Sequence, residues 1–172
     1  MSDAFDEFFK WVGVCITEWA RVEDQLYMIC RKCLRTRHDL TAIVYYRVSQ
    51  LDARVALVDE LVAATLPKRT RKNGGHDHPD FKVWASVRKE IADLLGTRRR
   101  IAHHPMRAHI DLETSKGTRV HIEPSFAETL RGKSDKLSPL EQADLEQHVI
   151  KLQEVVNRLA VFYQHALPKH CK

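Results

Sequence analysis

The sequence predicts an all-α protein: an up-and-down antiparallel bundle of four main helices, with a small β-hairpin inserted after the third. Three observations support this class. Apolar residues recur every three or four positions over four long stretches, which is the period of a helix with one buried face. The first and longest stretch contains no proline and a single glycine, Gly13. Only one later segment alternates polar and apolar residues as a strand does.

The apolar pattern sets the approximate bounds of each element. Pro105 disfavours helical dihedrals at His104, so we expect the third main helix to end at the histidines. Pro139 suits the first position of the last helix. A short helix lies between the first and second main ones. In chain order, the expected helices are Ser2–Arg35, Leu40–Val48, Asp52–Leu66, Asp80–His103 and Pro139–Ala166. The expected strands are His109–Glu113 and Arg119–Glu123, in a hairpin over about residues 107–123.

The overall composition is that of a single globular domain covering residues 1–172. The longest apolar runs are far short of the roughly 20 residues that span a bilayer, and the start Met1-Ser2-Asp3 is not a signal peptide. We therefore expect a cytoplasmic protein without membrane contact. The net charge of +5 favours an anionic partner. The pair Cys30 and Cys33 lies within a helical pattern, so we interpret both as small buried hydrophobes.

A basic loop is expected at residues 67–79, where a turn signal interrupts the helical pattern. Its cations are Lys68, Arg69, Arg71 and Lys72. They are candidates for guiding a polyanion toward the site, and the simpler interpretation is that they only keep the loop solvated. His76 and His78 are too few to hold a metal ion without further ligands. No carboxylate cluster or glycine-rich turn after a strand is present, so we expect no metal and no cofactor.

The residues that suggest chemistry lie at the end of the helix before Pro105. Three consecutive arginines, Arg98 to Arg100, precede the consecutive histidines His103 and His104 by about one helical turn. Arginine binds phosphate oxygens in bidentate fashion, and histidine exchanges protons near neutral pH. These residue types suit attack of a ribose 2′-hydroxyl on the adjacent phosphate, which needs a base, an acid and fixed positive charge. Cations in the last turn of a helix also stabilise it, which is the simpler interpretation.

Two charged residues fall on apolar stripes. Arg98 lies four residues after Leu94 and three before Ile101, and Glu23 lies four after Trp19 and three before Leu26. An unpaired buried charge is very costly. We therefore predict an ion pair between Glu23 and Arg98; the alternative is that each side chain reaches solvent from the margin of its stripe.

The segment from Arg98 to His103 resembles the R-x4-6-H motif of HEPN-domain proteins. The stretch Trp19-Ala20-Arg21-Val22-Glu23 is similar to the first long helix of HEPN-like bacterial proteins, and the likeness covers roughly residues 4–166. The resemblance implies a helical homodimer that cleaves single-stranded RNA without a metal, at a composite cleft across a two-fold axis. It also implies a role in toxin–antitoxin or anti-phage defence, with an antitoxin or another protein as partner.

By that resemblance, Arg98 and His103 are the catalytic residues, with Glu23, Arg99 and His104 in support. Arg100 and Arg107 would then bind RNA. The spacings from Arg98 to His104 and from Arg99 to His104 fit the same pattern, so the register stays open.

Active members usually carry a small polar residue after the motif arginine, where this chain has Arg99. The alternative is therefore a non-catalytic HEPN-like module that binds RNA, a nucleotide or a protein. A third interpretation is an all-α oligomerisation domain without a ligand.

Overall fold

Five helices and one hairpin make up the part of the chain that a computed structural model describes, residues 2–66, 78–110, 118–124 and 138–167. The helices are α1 (Ser2–Leu34), α2 (His38–Arg47), α3 (Leu51–Thr65), α4 (Pro79–His103) and α5 (Gln142–Val161). The strands are β1 (Met106–Ile110) and β2 (Thr118–Ile122), and a π-helical turn, Phe162–Ala166, continues α5. The predicted class, all-α with a small β insertion, is confirmed. The four main helices and the short α2 follow the predicted order.

Two predicted boundaries are wrong. Strand β1 begins at Met106 and not at His109, because it pairs antiparallel with β2 in the register that sets Met106 opposite Ile122. Helix α5 begins at Gln142 and not at Pro139. Leu140 exchanges backbone hydrogen bonds with Ile122, at 3.0 and 2.9 Å, and this bridge holds the segment before α5 extended.

The chain forms two compact units, each with residues from α1, α4 and α5. The first unit comprises Met1–Glu18 and Leu94–Leu152; the second comprises Trp19–Asp93 and Gln153–Lys172. The single-domain assignment made from the chain length stays a prediction.

The core of the first unit lies between the start of α1, strand β2 and the start of α5. Its buried residues are Phe8, Cys15, Val120, Ile122, Leu140, Leu145 and Val149. Ile101, near the end of α4, packs against this cluster. Trp11 is partly buried against the same cluster, and its indole N–H donates to a Glu7 carboxylate oxygen at 3.1 Å. The hairpin and the end of α4 therefore share one hydrophobic support.

In the second unit, Trp84 of α4 is fully buried. Its indole N–H donates to Oδ1 of Asp59 on α3 at 2.7 Å, and its ring lies 5.6 Å from that of Phe162. The other Asp59 oxygen accepts from Arg88 at 2.7 Å. Buried valines and leucines of α3 and α5 complete the packing, among them Val55, Val58, Val62, Val155 and Leu159.

No helix among the described residues is long and apolar enough to cross a membrane.

Candidate functional site

Helix α4 ends at His103, as the following proline predicts. The backbone N–H of His104 still donates to the carbonyl of Arg100 at 3.0 Å, so His104 completes the last turn. Pro105 has no N–H to continue the ladder, and strand β1 starts directly after it. The two imidazoles therefore sit at the junction of α4 and the hairpin.

The imidazole of His104 is held by the segment that follows β2. Its Nδ1 lies 3.0 Å from the backbone carbonyl oxygen of Glu123. A carbonyl oxygen only accepts hydrogen bonds, so Nδ1 carries the proton and the neutral ring has its lone pair on Nε2. The N–H of Glu123 in turn donates to the carbonyl of Pro105 at 3.1 Å. His104 thus has a fixed tautomer and a fixed ring orientation.

The side chain of Glu123 joins a second histidine and an arginine. One carboxylate oxygen accepts from Arg107 Nε at 2.7 Å, and the other lies 3.4 Å from His121 Nε2. Arg107 and His121 are directly opposite each other in the hairpin register. His104, Arg107, His121 and Glu123 therefore form one polar cluster, which we call the junction cluster.

The junction cluster is positioned by residues of the hydrophobic core of the first unit. Ile122, between His121 and Glu123 in the chain, is fully buried, and Ile101 packs against the same core. Arg100 is anchored as well, since its Nη2 donates to the carbonyl of Ser138 at 2.5 Å. Both sides of the junction thus rest on packed or hydrogen-bonded residues.

Five of the eleven predicted site residues lie at the end of α4, namely Arg98 to Arg100, His103 and His104. Arg98 and Arg100 are partly exposed, while Arg99 and His103 are exposed. Within the described part of the chain, no group hydrogen-bonds to the ring of His103. Of the two histidines, His104 is therefore the oriented one. The loop cations Lys68, Arg69, Arg71 and Lys72 lie outside the described residues.

Glu23 forms an ion pair that the sequence did not suggest. Its carboxylate accepts from Arg54 of α3 at 2.5 Å, and both side chains are mostly buried. Arg54 also donates to the carbonyl of Val48 at 2.8 Å and stacks on the rings of Tyr45 and Tyr46. The predicted pairing of Glu23 with Arg98 stays a prediction.

Sequence reasoning missed Arg54, Glu123 and His121, although each carries a signal. Arg54 lies three residues after Leu51 and four before Val58, so it sits on the apolar stripe of α3. His121 and Glu123 are two residues apart on a strand and so share one face. The alternation marked both as outward-facing, but their partner Arg107 appears only once the register is known.

The described residues contain no group of three or more histidine, cysteine or carboxylate side chains arranged for a metal ion. Burial raises the pKa values of the Cys15 and Cys30 thiols to about 11. Both are fully buried and free. They are thus protonated at neutral pH and pack as small apolar side chains, as expected for Cys30, whereas Cys33 is only partly buried.

Comparisons with protein-family models, with curated proteins and with solved structures give no match for this chain.

Proposed function

We propose that this protein is a metal-independent endoribonuclease, acting in the cytoplasm on single-stranded RNA. The observation that carries the proposal is the hydrogen bond from His104 Nδ1 to the carbonyl of Glu123. It holds an imidazole, in the tautomer of a general base, four residues beyond a run of three arginines. The defence role and the antitoxin partner implied by the HEPN resemblance belong to the same proposal.

The chemistry requires two proton transfers and one charge-stabilising contact. Nε2 of His104 takes the proton from a ribose 2′-hydroxyl as its oxygen attacks the adjacent phosphorus. The bond to the 5′-oxygen breaks, and a protonated imidazole, that of His103, gives a proton to the leaving oxygen. Arg98 binds the phosphate oxygens and offsets charge as it builds up. The products are a 2′,3′-cyclic phosphate and a free 5′-hydroxyl.

In this mechanism His104 is the general base and His103 is the general acid, two roles that the sequence did not assign. The fixed tautomer favours His104 as the base, while the exposed ring of His103 suits the acid. A second copy of the chain, related by a two-fold axis, would double the set of histidines and arginines. Arg99, in place of a small polar residue, favours the alternative, an RNA-binding module without cleavage.

Cleavage of a labelled single-stranded RNA by the purified full chain, in excess EDTA, tests the proposal. Wild-type protein should leave 2′,3′-cyclic phosphate ends. Arg98→Ala, His103→Ala and His104→Ala should each lower the rate about 100-fold or more, the scale of a general acid or base. His165→Ala, which removes another exposed histidine, is the matched control and should leave the rate unchanged.

Loss of cleavage on chelation would contradict the mechanism. So would cleavage that survives all three substitutions, which would indicate a contaminating nuclease. RNA binding without cleavage by the wild-type chain would favour the alternative.

A further inference from the structure

Helix α2 carries polar groups on its inward side. Thr41 and Tyr45 are both fully buried. The hydroxyl of Thr41 donates to the carbonyl of Arg37 at 3.2 Å. The same hydroxyl oxygen lies 2.9 Å from the hydroxyl oxygen of Thr36. The hydroxyl of Tyr45 donates to the backbone carbonyl of Glu23 at 3.0 Å. Hydrogen bonds therefore anchor the inward side of α2 within the second unit.

The outward side of α2 is apolar instead. Ile43 is 62% exposed, and Leu40, Val44 and Tyr46 are 46 to 54% exposed. The described residues contain ten exposed large hydrophobic side chains, and four of them lie on this helix of ten residues. Single exposed apolar residues are ordinary, but a contiguous set marks an interaction surface.

The outward face of α2 is symmetric about Ile43. Asp39 and Arg47 each lie four residues from it, on opposite sides along the helix, and Leu40 and Tyr46 each lie three residues from it. If a second α2 packs antiparallel with its Ile43 on the first, Asp39 comes level with Arg47 of the second copy, and Leu40 with its Tyr46. A two-fold axis repeats both pairings.

We propose that the outward face of α2 is a self-complementary interface for a second copy of this chain. Apolar contact at the centre is combined with opposite charges at both ends of the helix pair, and such complementarity favours this register over others. Asp39 already meets Arg37 at 2.6 Å, but these side chains are 55 and 79% exposed. A pair so exposed is weak, so Asp39 is able to share its charge with a second arginine.

A single short helix offers less area than the roughly 800 Å² per partner of a standard interface. We therefore expect weak, concentration-dependent association. Association through α2 requires nothing of the chemistry proposed above, and it is measured without RNA. Failure of one proposal therefore leaves the other standing.

Sedimentation velocity of the full chain from about 1 to 500 µM tests the interface. Wild-type protein should shift to a species of twice the mass over this range. Ile43→Asp places a charge at the centre of the α2 face and should abolish that shift, whether or not the chain also dimerises at the proposed composite cleft. The matched control is Val161→Asp on α5, since Val161 is 57% exposed on another helix and its substitution should leave association unchanged.

Charge reversal gives a sharper test that does not depend on the stability of one variant. Asp39→Arg puts like charges together at both ends of the pair, and so does Arg47→Asp; each should weaken self-association about ten-fold. An equimolar mixture of the two variants restores opposite charges at both ends, so it should form a heterodimer with nearly wild-type affinity. Lys89→Asp, at an exposed position on α4, is the charge-matched control.

Three results would overturn the proposal. The first is a wild-type chain whose mass does not change over the range. Binding of single-stranded RNA to the α2 face, in place of self-association, would be such a result. The second is a concentration-dependent shift in mass that survives Ile43→Asp, and the third is a mixture of the two charge variants that associates no better than either alone.

Discussion

The ion pairs Glu23–Arg54 and Glu123–Arg107 differ in their surroundings. Glu23 and Arg54 lie 2.5 Å apart with side chains 21 and 14% exposed. Glu123 and Arg107 lie 2.7 Å apart, but the side chains are 30 and 64% exposed. The buried pair has aromatic rings around its guanidinium, with centroids 5.3 and 5.2 Å from Arg54. The exposed pair sits in a hairpin beside an oriented histidine.

The difference separates an ion pair that matters for stability from one that contributes little. Removing one partner of a buried pair leaves the other charge desolvated, so the buried pair matters for stability. An exposed pair is screened by water and contributes little to folding. If the end of α4 binds RNA as proposed, the arginine of the exposed pair can exchange its carboxylate for a phosphate at small cost. Each prediction below tests one side of this contrast.

Arg54→Met should lower the free energy of unfolding by about 3 to 4 kcal/mol, because it removes the guanidinium that pairs with the mostly buried carboxylate of Glu23. Urea denaturation followed by circular dichroism measures the change. Arg88→Met is the control: it removes an arginine that is 47% exposed and paired with Asp59, and it should cost about 1 kcal/mol or less. Equal losses in the two variants would contradict the contrast.

The buried histidine of the first unit extends the contrast to pH. His148 is 4% exposed, and burial, with a smaller contribution from the charge of Lys151, lowers its pKa from 6.5 to about 4. Between these values the unfolded chain binds a proton that the folded chain excludes. Stability should therefore be full above about pH 6.5 and fall as the pH drops toward 4, by about 3 kcal/mol at most.

Urea denaturation between pH 4 and 7.5 measures this dependence. His148→Leu should flatten the slope, whatever it does to stability at pH 7.5. An unchanged slope in that variant would show that other groups cause the dependence.

Arg107→Leu should change stability by less than about 1 kcal/mol, because Arg107 is 64% exposed. If the end of α4 binds RNA as proposed, the same substitution should weaken binding of a single-stranded RNA. The slope of log K against log salt concentration should become shallower by about 0.7, the loss of one phosphate contact. Fluorescence anisotropy over a salt series measures the RNA affinity and the slope. An unchanged slope would show that Arg107 does not contact the RNA.

Glu123→Gln should have the smallest effect, and in the opposite direction. It removes the charge that competes with phosphate for Arg107, while the backbone carbonyl that orients His104 remains. RNA affinity should rise about two- to five-fold, with a slope of log K against log salt concentration at least as steep as that of the wild type. Weaker binding would mean that the carboxylate positions Arg107 for RNA and does not compete with it.

The helical part of the fold was predictable because helices depend on a local period. The end of α4 was predictable from Pro105, and the all-α class from the apolar spacing. The start of β1 and the start of α5 were not predictable, since both depend on long-range pairing of Ile122, with Met106 in the hairpin and with Leu140 after it. Such pairings produce no periodic pattern of apolar residues in the segments that begin β1 and α5.

The candidate site was predictable in composition but not in arrangement. The run from Arg98 to His104 indicated the end of α4 as the candidate site. Which histidine is oriented depends on the carbonyl of Glu123, 19 residues further along the chain. Similarly, the apolar stripe marked Glu23 as needing a cation, but it did not indicate Arg54 of α3, which pairs with Glu23.

Trp11 and Trp84 lie in different units, so their fluorescence can follow the unfolding of each unit. Trp11 is only partly buried in the first unit, where its indole N–H donates to Glu7. Trp84 is fully buried in the second unit, bonded to Asp59. Trp11 should therefore emit at longer wavelength than Trp84. Variants that keep only one of them, with the other tryptophans replaced by phenylalanine, would follow the two units separately and show whether they unfold in one transition or two.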